Sequence, residues 1–136
     1  MKHYLGLLTL SAILSLCSFR TFKTGTNTGM EMEDIVVALK AGNATDLSRY
    51  FDNRVDLTLP TKSDNYSRTQ AEMILRDFFG SNSVRNFEIK CKGETNGSRY
   101  CVGTLKTKLG DYRTRLFMKS KGDKQVLQEL AFQPEE

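Results

Sequence analysis

Residues 99–132 read RYCVGTLKTKLGDYRTRLFMKSKGDKQVLQELAF, and the punctuation of this stretch decides the fold. Leu109-Gly110-Asp111 and Lys121-Gly122-Asp123 are turn sequences. Between them Tyr112, Thr114, Leu116 and Met118 fall on one side of an extended chain, with Arg113 and Arg115 on the other. Alternation with a period of two, broken by short glycine-containing turns, is the pattern of antiparallel strands joined as hairpins. Strands are therefore expected over 99–108, 112–119 and 124–132. A fourth precedes them at 87–92, with Gly93, Asn96 and Gly97 as turn formers between.

Upstream the texture is helical. Ser67 with Gln70 three residues later is a capping-box pattern, and Ala71, Ile74, Leu75, Phe78 and Phe79 then form a broad apolar stripe up to Gly80. Val55, Leu57 and Leu59 alternate with polar residues as a half-buried strand that Pro60 stops or marks as an edge, and a polar loop follows. Met32, Ile35, Val36 and Leu39 lie at helical spacing, and Gly42 stands where a helix end favours positive φ. Asp46 is placed to cap a second, shorter helix with Leu47, Tyr50 and Phe51 on its buried side. The order helix, helix, strand, helix, four strands describes an α+β fold, with three helices packed on a curved, mainly antiparallel sheet.

The chain of 136 residues is large enough for one core and too small for two. Its start, Met1-Lys2-His3-Tyr4 followed by uncharged residues from Leu5 to Leu16, has the form of a secretory leader. The uncharged stretch is too short for a comfortable membrane span. The expected organisation is a signal peptide over 1–22, a Thr- and Gly-rich linker over 23–30, one domain over 31–133 and a tail over 134–136. Export to the periplasm or cell envelope follows. Lipid anchoring at Cys17 is disfavoured, because Leu16 occupies the position where the processing enzyme wants a small residue.

In an exported chain Cys91 and Cys101 would meet oxidising conditions. Two registers of the hairpin between them are open. With a loop centred on Asn96, Cys91 faces Cys101, Ile89 faces Gly103 and Phe87 faces Leu105, and a disulfide can form. With a two-residue turn at Asn96-Gly97, Cys91 faces Val102 and the thiols point to opposite faces. The first register matches apolar with apolar and is the one favoured.

Several stretches, Leu39-Lys40-Ala41-Gly42-Asn43-Ala44, Leu47-Ser48-Arg49-Tyr50-Phe51-Asp52, Tyr66-Ser67-Arg68-Thr69-Gln70-Ala71-Glu72 and Tyr100-Cys101-Val102-Gly103-Thr104-Leu105, resemble the exported bacterial family catalogued as domain of unknown function 4783. The element order over 31–132 is similar to the nuclear transport factor 2-like superfamily. That resemblance implies a cone whose sheet and helices enclose a pocket, and brings no catalytic residues with it.

The residues exclude much chemistry. His3, the single histidine, lies in the leader, so the domain has no imidazole for a triad or an ordinary zinc site. Two cysteines ten residues apart make neither a thiolate metal site nor a redox motif, so no metal or cofactor is expected. A formal charge of +4, with cations interleaved among acids, argues against nucleic acid as a partner. Acid–base work would fall on a desolvated carboxylate, with Asp52, Asp56, Asp64 or Glu129 as candidates beside a tyrosine. No assembled catalytic set appears. The expected function is thus a noncatalytic binding or interaction module of the cell envelope, holding a small apolar ligand or a partner's segment in the cone. Pocket candidates are Tyr50, Phe51, Tyr66, Phe78 and Tyr100. Arg113 and Arg115 make an anion patch if their face turns inward, and a solvated face if it does not. The alternatives are a histidine-free isomerase or dehydratase using a buried Asp or Glu with Tyr, and a homodimeric structural protein.

Overall fold

A computed structural model describes residues 28–135. The expected leader, Cys17 and residues 23–27 of the expected linker lie outside the described residues. The first helix, α1, spans Thr28–Ala41, so it starts within residues read from sequence as linker. Met32, Ile35, Val36 and Leu39 all turn into the core, as their spacing requires. Gly42 ends the helix with φ 64°. Its N–H donates to the Leu39 carbonyl and the Asn43 N–H to that of Ala38, the paired closure that only a residue tolerant of the left-handed region allows cheaply.

The short helix α2, Ala44–Ser48, is capped by Asn43 rather than Asp46. Asn43 Oδ1 accepts from the Asp46 N–H at 3.0 Å, and its Nδ2 donates to the Asp46 carboxylate at 2.9 Å. Because this helix stops at Ser48, it does not carry Tyr50 and Phe51. Phe51 opens the first strand, β1, Phe51–Leu59. The sequence also hides β2, Lys62–Ser67, behind what reads as a polar loop. This strand pairs antiparallel with β1 alone, placing Tyr66 opposite Val55. An edge strand with its first four residues exposed has no core face to impose alternation.

Helix α3, Arg68–Asn82, begins with the expected capping box. Ser67 Oγ accepts from the Gln70 N–H at 3.2 Å, and Gln70 Oε1 accepts from the Ser67 N–H at 3.3 Å. It runs through Gly80 and closes at Ser83, where φ is 59°. The rest of the chain is the meander β3 Val84–Thr95, β4 Ser98–Thr107, β5 Gly110–Lys121 and β6 Lys124–Pro134. The sheet order is β2-β1-β6-β5-β4-β3, and every pairing is antiparallel except β1 with β6. The helices cover one face of this curved sheet, and their inward side chains merge with Val55, Leu57, Leu105, Leu116, Leu130 and Phe132 in a single core.

The β3–β4 hairpin combines the two registers that the sequence leaves open. Near its base Phe87 faces Leu105 and Ile89 faces Gly103. At its tip Asn96 and Gly97, with φ of 45° and 80°, make the tight turn in which both central residues are left-handed. A break in register between Ile89 and Cys91 reconciles the two, so that Cys91 faces Val102 and Lys92 faces Cys101. The expected Cys91–Cys101 disulfide is therefore corrected: both thiols are free, one exposed and the other buried on the opposite face. Burial pushes the Cys101 thiol up from its ordinary pKa.

Candidate functional site

Inside the cone stands a cluster of the chain's own aromatic side chains. Phe132, fully buried, lies 5.2 Å from Phe78 and 5.9 Å edge-on from Phe79 between ring centroids, and Phe78 meets Tyr112 edge-on at 5.1 Å. These are the separations that aromatic pairs prefer. The cluster is pinned by Asn82, which donates to the Phe78 carbonyl and accepts from the Tyr112 hydroxyl, each at 2.8 Å. At the mouth remains an open dish of about 220 Å³ whose lining includes Leu59, Ile74, Phe78 and Asn82.

The residues expected to line one pocket do not converge. Phe51 is a core residue, Tyr66 packs half-buried on the core beside β1, and Phe78 forms part of the plug. Tyr50 packs half-buried against the core and lines a concavity of about 210 Å³ between α1 and α2, its hydroxyl donating to Asp34 at 2.9 Å. Burial, and then this bond to Asp34, raise its pKa. Tyr100 sits at the tip of the β3–β4 hairpin, 40% exposed, its ring against Gly93, where any side chain would collide with it. Arg113 and Arg115 point to solvent on the face away from the helices, while Thr114, Leu116 and Met118 are buried on the other. Their neighbour Lys106 is held by Asp111 at 3.3 Å.

Chemistry by a desolvated carboxyl has no residue to act through among those described, since none of their carboxylates is buried. Asp56, Asp64 and Glu129 are exposed. The most enclosed of the four candidates, Asp52, is tied to Lys121 Nζ at 2.8 Å and to Gln128 Nε2 at 3.1 Å. The lysine bond foremost holds its carboxyl below the ordinary range, the opposite of what a general acid at neutral pH requires.

A different surface stands out. A groove of about 340 Å³ runs between α1 and the edge strand β3, lined by Met32, Glu33, Val36, Val37, Lys40, Ile89 and Lys92. It shares Met32 and Lys92 with a second concavity of about 190 Å³ that reaches Tyr100 at the hairpin tip. Of the five large hydrophobic side chains exposed among the described residues, Val37 at 64%, Ile89 and Tyr100 border this continuous depression. Sequence reading assigned Met32 and Val36 to a core stripe and missed the groove. The available signal was Val37, an apolar residue one step off that stripe.

Comparison with known proteins agrees with this architecture. Residues 32–133 match the family model described as domain of unknown function DUF4783. The chain is 27% identical to a DUF4783 family protein of Bacteroides uniformis, with a TM-score of 0.74 over 76% of this chain and 96% of that one. It is 31% identical to a DUF4783 family protein of Bacteroides fragilis, with a TM-score of 0.71 over 75% and 96%. The structure titled Rd1NTF2_04 with long sheet, 17% identical, shares the fold with a TM-score of 0.60 over 74% of this chain and 94% of that one. The fold is nuclear transport factor 2-like. No curated protein matches the chain.

Proposed function

The chain belongs to the DUF4783 family, and from its surface we propose that it is a noncatalytic interaction module, exported to the cell envelope, that recognises a partner's segment on the outside of the cone. The observation that carries this reading is the exposed apolar border of the α1–β3 depression. Supporting it, an aromatic cluster takes up interior space beneath Phe132, whereas exposed Val37 and Ile89 border one groove and exposed Tyr100 the concavity that adjoins it. Exposed apolar side chains that adjoin one another are a mark of binding surfaces, while single ones are ordinary. Export is supported by the leader-like composition of residues 1–22.

A photo-crosslinking amino acid at position 37 or 89, compared with one at the still more exposed Leu109, tests the reading in cells that make the protein. A discrete adduct from 37 and 89, absent from 109, is expected in the envelope fraction. Equal labelling from all three positions, or none from any, would remove the interaction reading. Intact mass of the recovered protein tests export, and a retained leader would overturn it.

A further inference from the structure

Resting on that interaction reading, we propose that the α1–β3 groove receives an acidic, amphipathic peptide segment whose apolar side chains seat on Val37 and Ile89 and whose carboxylates meet Lys40 and Lys92. The floor is apolar: Met32 and Val36 lie buried beneath the exposed Val37 and Ile89. Lys40 and Lys92 stand at its border and are both exposed. Neither forms an ion pair with a described carboxylate, although Asp46, Glu72, Asp111 and Asp52 each pair with another cation. Glu33, the acid lining this groove, is two turns from Lys40 along α1, so Lys40 is open to a foreign carboxylate, while Lys92 stands at the opposite end beside Met32, where Glu94 lines the adjoining concavity. Lys40 also lies in the last turn of α1, where the helix's own carbonyls already favour a cation.

Strand addition is a poor alternative for this site. The edge of β3 is broken by register shifts between Val84 and Asn86 and again between Ile89 and Cys91, and Arg85, Lys90 and Lys92 stud it. Bulges and lysines are how exposed edges resist pairing. The occupant therefore docks through side chains, as a helix face laid in a groove does.

The test uses two labelled, helix-forming peptides with leucines at i, i+3, i+4 and i+7, one carrying Glu at its remaining positions and its twin carrying Lys. Fluorescence anisotropy at low salt against the protein should show the Glu peptide binding roughly tenfold more tightly than its twin, with the gap closing in molar salt. The double substitution Lys40→Glu and Lys92→Glu should reverse the preference. Val37→Asp, at an exposed position that leaves the helix's circular dichroism unchanged, should weaken both peptides. Equal binding of the twins, or a preference that survives the lysine substitutions, overturns the acidic occupant while leaving a groove that binds apolar segments. Binding indifferent to both Val37→Asp and Ile89→Asp, or no binding of either peptide, overturns the groove and the interaction reading with it.

Discussion

Replacing Phe132 by alanine asks whether the cone is plugged. The ring is fully buried and packs against Phe78 and Phe79. Truncating a buried Phe removes its transfer free energy and leaves a cavity, together costing about 3–5 kcal/mol. Two aromatic pairs, each worth about 0.5–1.5 kcal/mol beyond area, place the expected loss in the upper part of that range, about 4 kcal/mol. Against a domain stability of about 5–15 kcal/mol, such a loss remains measurable in a folded variant. Urea unfolding followed by circular dichroism should show the midpoint falling by roughly 2 M with the slope unchanged. Benzene should restore part of the loss in the variant, because an apolar cavity lined by such side chains stays dry and accepts it. It should leave the parent unaffected. A loss under about 1 kcal/mol, or a parent stabilised by benzene as much as the variant, would show an open interior and return the small-ligand reading to contention.

Further outcomes follow from the pairings and turns. Asp52, with its carboxyl held low by Lys121, contributes stability that is present above the ordinary carboxyl pKa and lost as pH falls through the depressed one. The difference in urea midpoint between the parent and Lys121→Ala should therefore be open at pH 6 and shrink below about pH 4; a gap independent of pH refutes the pairing. Maleimide should modify Cys91 at once in the native protein and Cys101 only on unfolding, even after exposure to oxidant. An intramolecular Cys91–Cys101 bond in the native mass spectrum would contradict the register. Gly97→Ala, at φ 80°, should cost about 1–2 kcal/mol in thermal unfolding, and a neutral effect would mean the turn is not the tight one described.

The sequence exposed those parts of the fold whose neighbours impose a pattern. The stripe of α3, the Met32–Leu39 face and the β5 alternation are each enforced by a core on one side and water on the other, so they could be read directly. Strand β2 was invisible because nothing buries its first four residues, and Asn43 was passed over as a cap because Asp46 offers the same chemistry three positions on. The hairpin register failed for a different reason. Apolar matching at Phe87 and Ile89 and turn chemistry at Asn96-Gly97 were both right, and they conflict by one residue. Only a bulge reconciles them, and no single residue announces it. The groove went unread because Met32 and Val36 look like core from the sequence, and it takes the packing of α1 over β3 to show which of their neighbours stay uncovered.

The pairing of β1 with β6 joins residues 51–59 to residues 124–134, the first strand to the last. A ribosome delivers these partners far apart in time, so β1 and its edge hairpin must wait, one flank unsatisfied, until β6 has emerged. Closing so distant a contact is slow. The seam between first strand and last is therefore the latest part of the sheet to knit.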